Sequence, residues 1–128
     1  MSRSLGAALP AALEKRLSQK DLPRLLGRGV PLLTVDDRGR PHPMFCSYLE
    51  LLAVNATTIR VAIGARSGTR RNLEARGAAT LLIVEPDVTM YVKCRADGAP
   101  LIAGELARFD LIVEDVLADA TAEGEEGA

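Results

Sequence analysis

Two hydroxyls, a glycine and three arginines fall within nine residues, Ala65-Arg-Ser-Gly-Thr-Arg-Arg-Asn-Leu73. The stretch follows a strand-like run, Thr58 to Ile63, and opens a short helical pattern that ends near Gly77. A hydroxyl and glycine turn feeding a helix start offers backbone N–H groups without partners and the positive end of the helix dipole. Arg66, Arg70 and Arg71 add cations, and the whole suits an anion, above all a phosphate. The same residues have a plainer reading, in which Ser67 or Thr69 caps a helix with a solvated arginine face. From these residues alone the plainer reading is the commoner one.

The other chemistry-bearing residues are scattered. His42 is the only histidine and lies between Pro41 and Pro43. It could serve as a proton donor or a ligand, but with no partner to orient it, it reads more readily as a surface turn residue. Tyr48 and Tyr91 read as amphipathic strand residues. Lys93 and Arg95 read as the solvated side of an edge strand, or as an extension of the basic patch across a dimer. Asn72 either bonds the turn after the hydroxyls or is a surface helix residue, and Leu73 reads as core. Cys46 and Cys94 have neither metal-site spacing nor companion histidines, so they read as buried thiols of a reducing compartment. There is no Ser-His-Asp set and no catalytic carboxylate pair to support hydrolase chemistry.

The chain has 128 residues, 48% of them hydrophobic and 3% aromatic, without tryptophan. That bounds one domain with a Leu, Val, Ile and Ala core. The net charge of −1 is unevenly spread. Arg66, Arg70, Arg71 and Arg76 face one acid, Glu74, between 64 and 77, whereas residues 110 to 128 carry only acids. A local basic patch on a near-neutral chain suits a small anionic ligand rather than nucleic acid, which needs many phosphate contacts. No run reaches the ~18 apolar residues of a membrane span. The apolar N-terminal stretch, interrupted by Pro10 and followed by Glu14, Lys15 and Arg16, does not read as a signal peptide. The expected location is cytoplasmic.

Leu9, Leu13 and Leu17 recur every four residues, and Pro10 suits a first helical turn, so a helix is expected over about 10–19. A short turn capped by Asp21 follows and stops at Gly27 and Gly29, closing an N-terminal helical segment over 1–28. Strands are then expected at Val30–Val35, Met44–Val54, Thr58–Ile63, Ala79–Glu85 (central, being nearly all apolar) and Thr89–Arg95. Leu101–Phe109 and Leu111–Leu117 give the last one or two. Asp36–Gly39 and Asp97-Gly98 are hairpin signals. The acidic tail, 119–128, is expected to be flexible or to pack on a partner. Short strands joined by tight turns, with a helix over 67–76 between the third and fourth, point to a small antiparallel barrel.

The order of these parts resembles the pyridoxamine 5′-phosphate oxidase-like, FMN-binding split β-barrel family. The resemblance is carried by Leu33-Thr-Val-Asp-Asp-Arg-Gly-Arg-Pro-His42, Ser67-Gly-Thr-Arg-Arg-Asn-Leu73 and Thr80-Leu-Leu-Ile-Val84, within a span of about 30–118. It implies a mainly β, six-stranded antiparallel split barrel, with an N-terminal helix and one helix between strands 3 and 4. It also implies a homodimer with FMN at the interface. The phosphate would be held by Ser67, Thr69, Arg70 and Arg71, with Arg66 and Asn72 beside them. The backbone of Met44, Phe45, Cys46 and Ser47 would line the ring, and Ala62, Ile63 and Gly64 would lie near the ribityl chain. An FMN phosphate carries close to two negative charges, its second pKa being about 6, and arginines at a helix start answer that charge.

The family relation further implies a small-molecule oxidoreductase working through flavin N5, with no catalytic side chain assigned. The chain also departs from the family pattern. Gly68-Thr69 stands where many members have Arg-Lys, and Arg76-Gly77 where Asn-Pro is usual. The aromatic and basic C-terminal segment of the pyridoxal phosphate-forming enzymes has no counterpart, so that activity is not expected. The rival readings are a non-catalytic flavin, deazaflavin or haem carrier, and a cofactor-free structural dimer with its arginines paired to the partner's acidic tail.

Overall fold

A computed structural model describes residues 2–119. Nine strands and three helices follow in order: β1 (Ser2–Ser4), α1 (Ala11–Arg16), α2 (Leu22–Leu25), β2 (Gly29–Val35), β3 (Pro41–Ser47), β4 (Leu51–Asn55), β5 (Thr58–Gly64), α3 (Gly68–Arg76), β6 (Ala78–Glu85), β7 (Val88–Ala96), β8 (Leu101–Ala103) and β9 (Leu106–Asp119). All pairings are antiparallel. The sheet runs β3-β2-β6-β7-β9-β5-β4, with β1 and β8 also on β9. Alternate residues of the central strands face inward, so Val30, Leu32, Leu81, Ile83, Val92, Ile59, Val61 and Phe109 belong to the core. The expected mainly β, antiparallel split-barrel architecture is what the chain adopts.

The expected long strand Met44–Val54 is broken. It begins at Pro41 and is interrupted at Tyr48–Glu50 by a 3-10 turn, which makes it β3 and β4. The cause is local. The Ser47 hydroxyl accepts from the Glu50 N–H, and the Glu50 carboxylate accepts from the Ser47 N–H at 2.7 Å, a reciprocal cap. The two ends of the sheet, β3 and β4, are therefore chain neighbours, and the barrel closes through this turn rather than through a ladder. One long edge of β3 carries no strand.

Other expectations need smaller corrections. Residues 101–117 divide at Gly104-Glu105, where Gly104 takes φ +60°, so a three-residue β8 is followed by a single fourteen-residue β9. The Asp97-Gly98 turn does not make a hairpin of β7 and β8, because each pairs with a different part of β9. Strand β7 lies between β6 and β9, so Lys93 and Arg95 are exposed on an interior strand and not on an edge. Asp119 ends β9 and accepts from the Tyr91 hydroxyl at 2.7 Å, whereas the rest of the expected tail lies outside the described residues.

Helix α1 is only six residues long, too short to hold by itself. Packing fixes it: Leu9, Leu13 and Leu17 are all buried. The Leu17 carbonyl accepts from Ala53 at 2.8 Å, and the Gln19 amide donates to the carbonyls of Leu49 and Leu51. No helix among the described residues is long and apolar enough to cross a membrane.

Helix α3 is held across the barrel end by a buried polar relay. Arg76 donates to the Val35 carbonyl at 2.6 Å and to Asn72 Oδ1 at 2.9 Å. The Asn72 amide donates to Thr34 Oγ1 at 3.0 Å, and the Thr34 hydroxyl donates to the His42 carbonyl at 3.5 Å. Gly77 ends the helix at φ +77°, a left-handed conformation that other residues adopt only with strain.

Asn72→Ala should therefore lower stability by about 1–3 kcal/mol, because it strands buried polar partners. A fall in the urea midpoint at unchanged m-value is the expected result. Burial pushes both thiols, Cys46 and Cys94, up to about 12. Native protein at pH 8 should leave both unlabelled by a thiol reagent, with labelling of both on denaturation.

Candidate functional site

Helix α3 begins as its cap dictates. Ser67 Oγ accepts from the Arg70 N–H at 3.1 Å, and its hydroxyl donates to the Gly64 carbonyl at 2.8 Å. Ser67 is thus the N-cap, whereas Thr69 lies inside the helix with its side chain buried. The Arg71 N–H reaches the Ser67 carbonyl at 3.4 Å. Among the described residues this leaves the Gly68 and Thr69 N–H groups without partners, pointing out of the helix start.

The arginines of the loop are not equivalent. Arg70 pairs with Glu74 one turn on and donates to the Ala65 carbonyl at 2.8 Å, so its charge is answered within the chain. Arg76 is committed to the relay. Arg71 makes one 3.3 Å bond to the Arg66 carbonyl and is otherwise exposed. The Arg66 side chain is exposed and forms no ion pair among the described residues. Among those residues Arg66 and Arg71 are therefore the cations of this loop without an acidic partner.

Clefts flank this loop on both sides. One of about 410 Å³ is lined by Asp36, His42, Gly68, Arg71 and Arg76. Another of about 320 Å³ lies between Gly64–Ser67 and the Gly104-Glu105 turn, and the two segments are joined by a 2.8 Å bond from the Ala65 N–H to the Glu105 carbonyl. In the first cleft Asp36 is a turn carboxylate. The Arg40 and Arg38 N–H groups, with the charges of Arg76 and His42 adding to them, hold its carboxyl below the usual range. A smaller cleft of about 180 Å³ beside α1 and α2 is crossed by the pairs Arg16–Asp87 and Arg24–Asp21.

The structure brings Gly64, Arg66, Ser67, Arg71 and the Thr69 N–H together at the α3 start. It places Cys46, Ile63 and Asn72 with their side chains buried, so only the backbone of Cys46 and Ile63 is open to a ligand, and the Asn72 amide belongs to the relay. Met44 packs partly against the core, Phe45 is 75% exposed, and Ala62 is half-buried on β5. The Ser47 hydroxyl and N–H are spent on the 3-10 turn. Tyr48 is buried with its hydroxyl on Glu85, so neither tyrosine hydroxyl bonds the loop. His42 is no turn residue. It sits in β3 opposite Thr34, with its ring against α3 at Gly68. Nothing in the sequence marked that contact, because it joins residues 26 positions apart in the chain. Among the described residues no group of three or more His, Cys, Asp or Glu is placed to hold a metal ion.

No protein-family model matches the sequence, and no curated protein matches it. Solved structures do match in shape. A pyridoxamine 5′-phosphate oxidase candidate from Lactobacillus delbrueckii gives a TM-score of 0.69 at 12% identity, over 89% of this chain and 98% of that one. The styrene monooxygenase flavin reductase of Pseudomonas putida S12 gives 0.57 at 11% identity, over 75% and 80%. The haem storage protein HutZ of Vibrio cholerae gives 0.57 at 15% identity, over 77% and 92%. At such identities the likeness concerns the fold, which hosts more than one cofactor chemistry. The chain has the split β-barrel fold of the pyridoxamine 5′-phosphate oxidase-like proteins.

Proposed function

We propose that this chain binds FMN and works as a small-molecule oxidoreductase, as a homodimer with the flavin at the interface. The observation that carries the reading is the α3 start. Two guanidinium groups with no acidic partner among the described residues, Arg66 and Arg71, stand beside two N–H groups without partners among them, Gly68 and Thr69, in a fold shared with flavin reductases. A phosphate with close to two negative charges fits that donor set.

The unpaired edge of β3 supports the same reading. Its outward main-chain donors and acceptors at Met44, Phe45 and Cys46 have no strand on that side among the described residues, and such groups serve to orient a flavin ring and tune its electronics. When bound, the flavin supplies the redox chemistry at N5. The chain's own part is to grip the phosphate, fix the ring against the strand edge and exclude water around it. Phe45, 75% exposed on β3, and Val84, 63% exposed on β6, belong to the outward faces on either side of β2, where the second copy is placed in this reading.

The absorption spectrum of the purified protein tests the cofactor. Flavin bands, or uptake of added FMN, are expected. A colourless protein that takes up no FMN overturns the proposal, and a haem spectrum redirects it to a haem carrier. Arg71→Ala should weaken FMN binding by about tenfold or more, the worth of a hydrogen bond to a charged group, while riboflavin affinity stays unchanged. Arg70→Ala should cost FMN less, because that side chain is already paired with Glu74. Equal losses of FMN and riboflavin on Arg71→Ala would count against a phosphate grip.

A further inference from the structure

The chain's one histidine stands at this site with its imidazole unspent. Among the described residues the His42 ring makes no hydrogen bond, although its carbonyl ends the relay from α3. The ring lies against Gly68, the first residue of α3. A Cβ at position 68 would sit 3.2 Å from His42 Cε1, 3.3 Å from Nε2 and 3.6 Å from Arg71 Nη2. The ring is therefore packed closely on Gly68, with a guanidinium nitrogen of Arg71 on the same side. His42, Gly68 and Arg71 all line the 410 Å³ cleft.

The other charges around that ring do not use it. Asp36 accepts from the Arg38 and Arg40 N–H groups, each at 2.9 Å, and Arg76 is tied to Val35 and Asn72. Asp37 also lines the cleft, with no hydrogen bond to the imidazole among the described residues. Arg71 is the remaining cation beside the imidazole.

We propose that His42 is a ligand-binding residue, donating from Nε2 to a phosphate monoester held jointly with Arg71, and that glycine at position 68 is required for this. The inference rests on the flavin-phosphate reading and deepens it. It names a third side chain at the phosphate, brought from β3 rather than from the loop. It also accounts for the glycine at position 68: a Cβ there would press on the imidazole and displace it from this place. The phosphate grip and the strand edge proposed for the ring would then be coupled through a single residue of β3.

Because the chain has one histidine, long-range ¹H–¹⁵N spectra of the imidazole report His42 alone. In unmodified protein the ring signals should move with FMN and with inorganic phosphate, and stay still with riboflavin. His42→Ala should lower FMN affinity about tenfold and leave riboflavin affinity unchanged. Gly68→Ala should act in the same direction by displacing the ring. Ring signals indifferent to FMN and phosphate, or FMN affinity unchanged by His42→Ala, would overturn the assignment of His42. If Arg71→Ala still separated FMN from riboflavin, the flavin reading would survive that result. Unmodified protein that binds FMN no more tightly than riboflavin, or ring signals that follow inorganic phosphate but not FMN, would overturn both.

Discussion

The candidate site depends on a line of hydrogen bonds, buried at its centre, from Arg76 through Asn72 and Thr34 to the His42 carbonyl. These bonds join α3, β2 and β3, the three elements whose fixed spacing the proposed flavin site requires. Thr34 and Asn72 are polar and buried, at 1% and 6% exposure, so each must find a partner or cost stability. They find each other. Apolar packing alone would allow α3 to slide along the barrel end; a directional bond between two buried groups does not.

Much of this was legible in the sequence, and the gaps have physical causes. The Asp36–Gly39 turn, the β6 run and α3, with its Ser67 cap and Gly77 stop, follow from local rules that the structure obeys. The break in the long strand had a local signal too. Ser47-Tyr-Leu-Glu50 spells a reciprocal cap, but the apolar pattern on both sides masked it. Strand β1 had no signal, because Ser2–Ser4 is exposed and polar, and it is a strand only because β9 offers it an edge. That is tertiary context overriding propensity.

The site itself was half legible. The sequence identified the loop and its charge, but it could not rank the arginines. Spacing alone gives Arg70 and Glu74 a helical neighbour relation, and the structure uses it, which leaves Arg71 and Arg66 as the available cations. His42 was unreadable for a different reason. Its neighbours, Gly68 and Arg71, come from across the fold, and no pattern in a linear chain reports a contact of that range.

Strand β9 carries a consequence for how the molecule is made. It pairs with β5, β7, β8 and β1, and among the described residues it is the last strand in chain order. The pairs β2–β3, β4–β5 and β6–β7 are local and can form as they leave the ribosome. They cannot become one sheet until residues 106–119 have followed them out. Until then the inner edges of β5 and β7 stand bare to any neighbouring chain. The sheet is therefore completed only when one long strand docks into a gap that two earlier hairpins, β4–β5 and β6–β7, hold open.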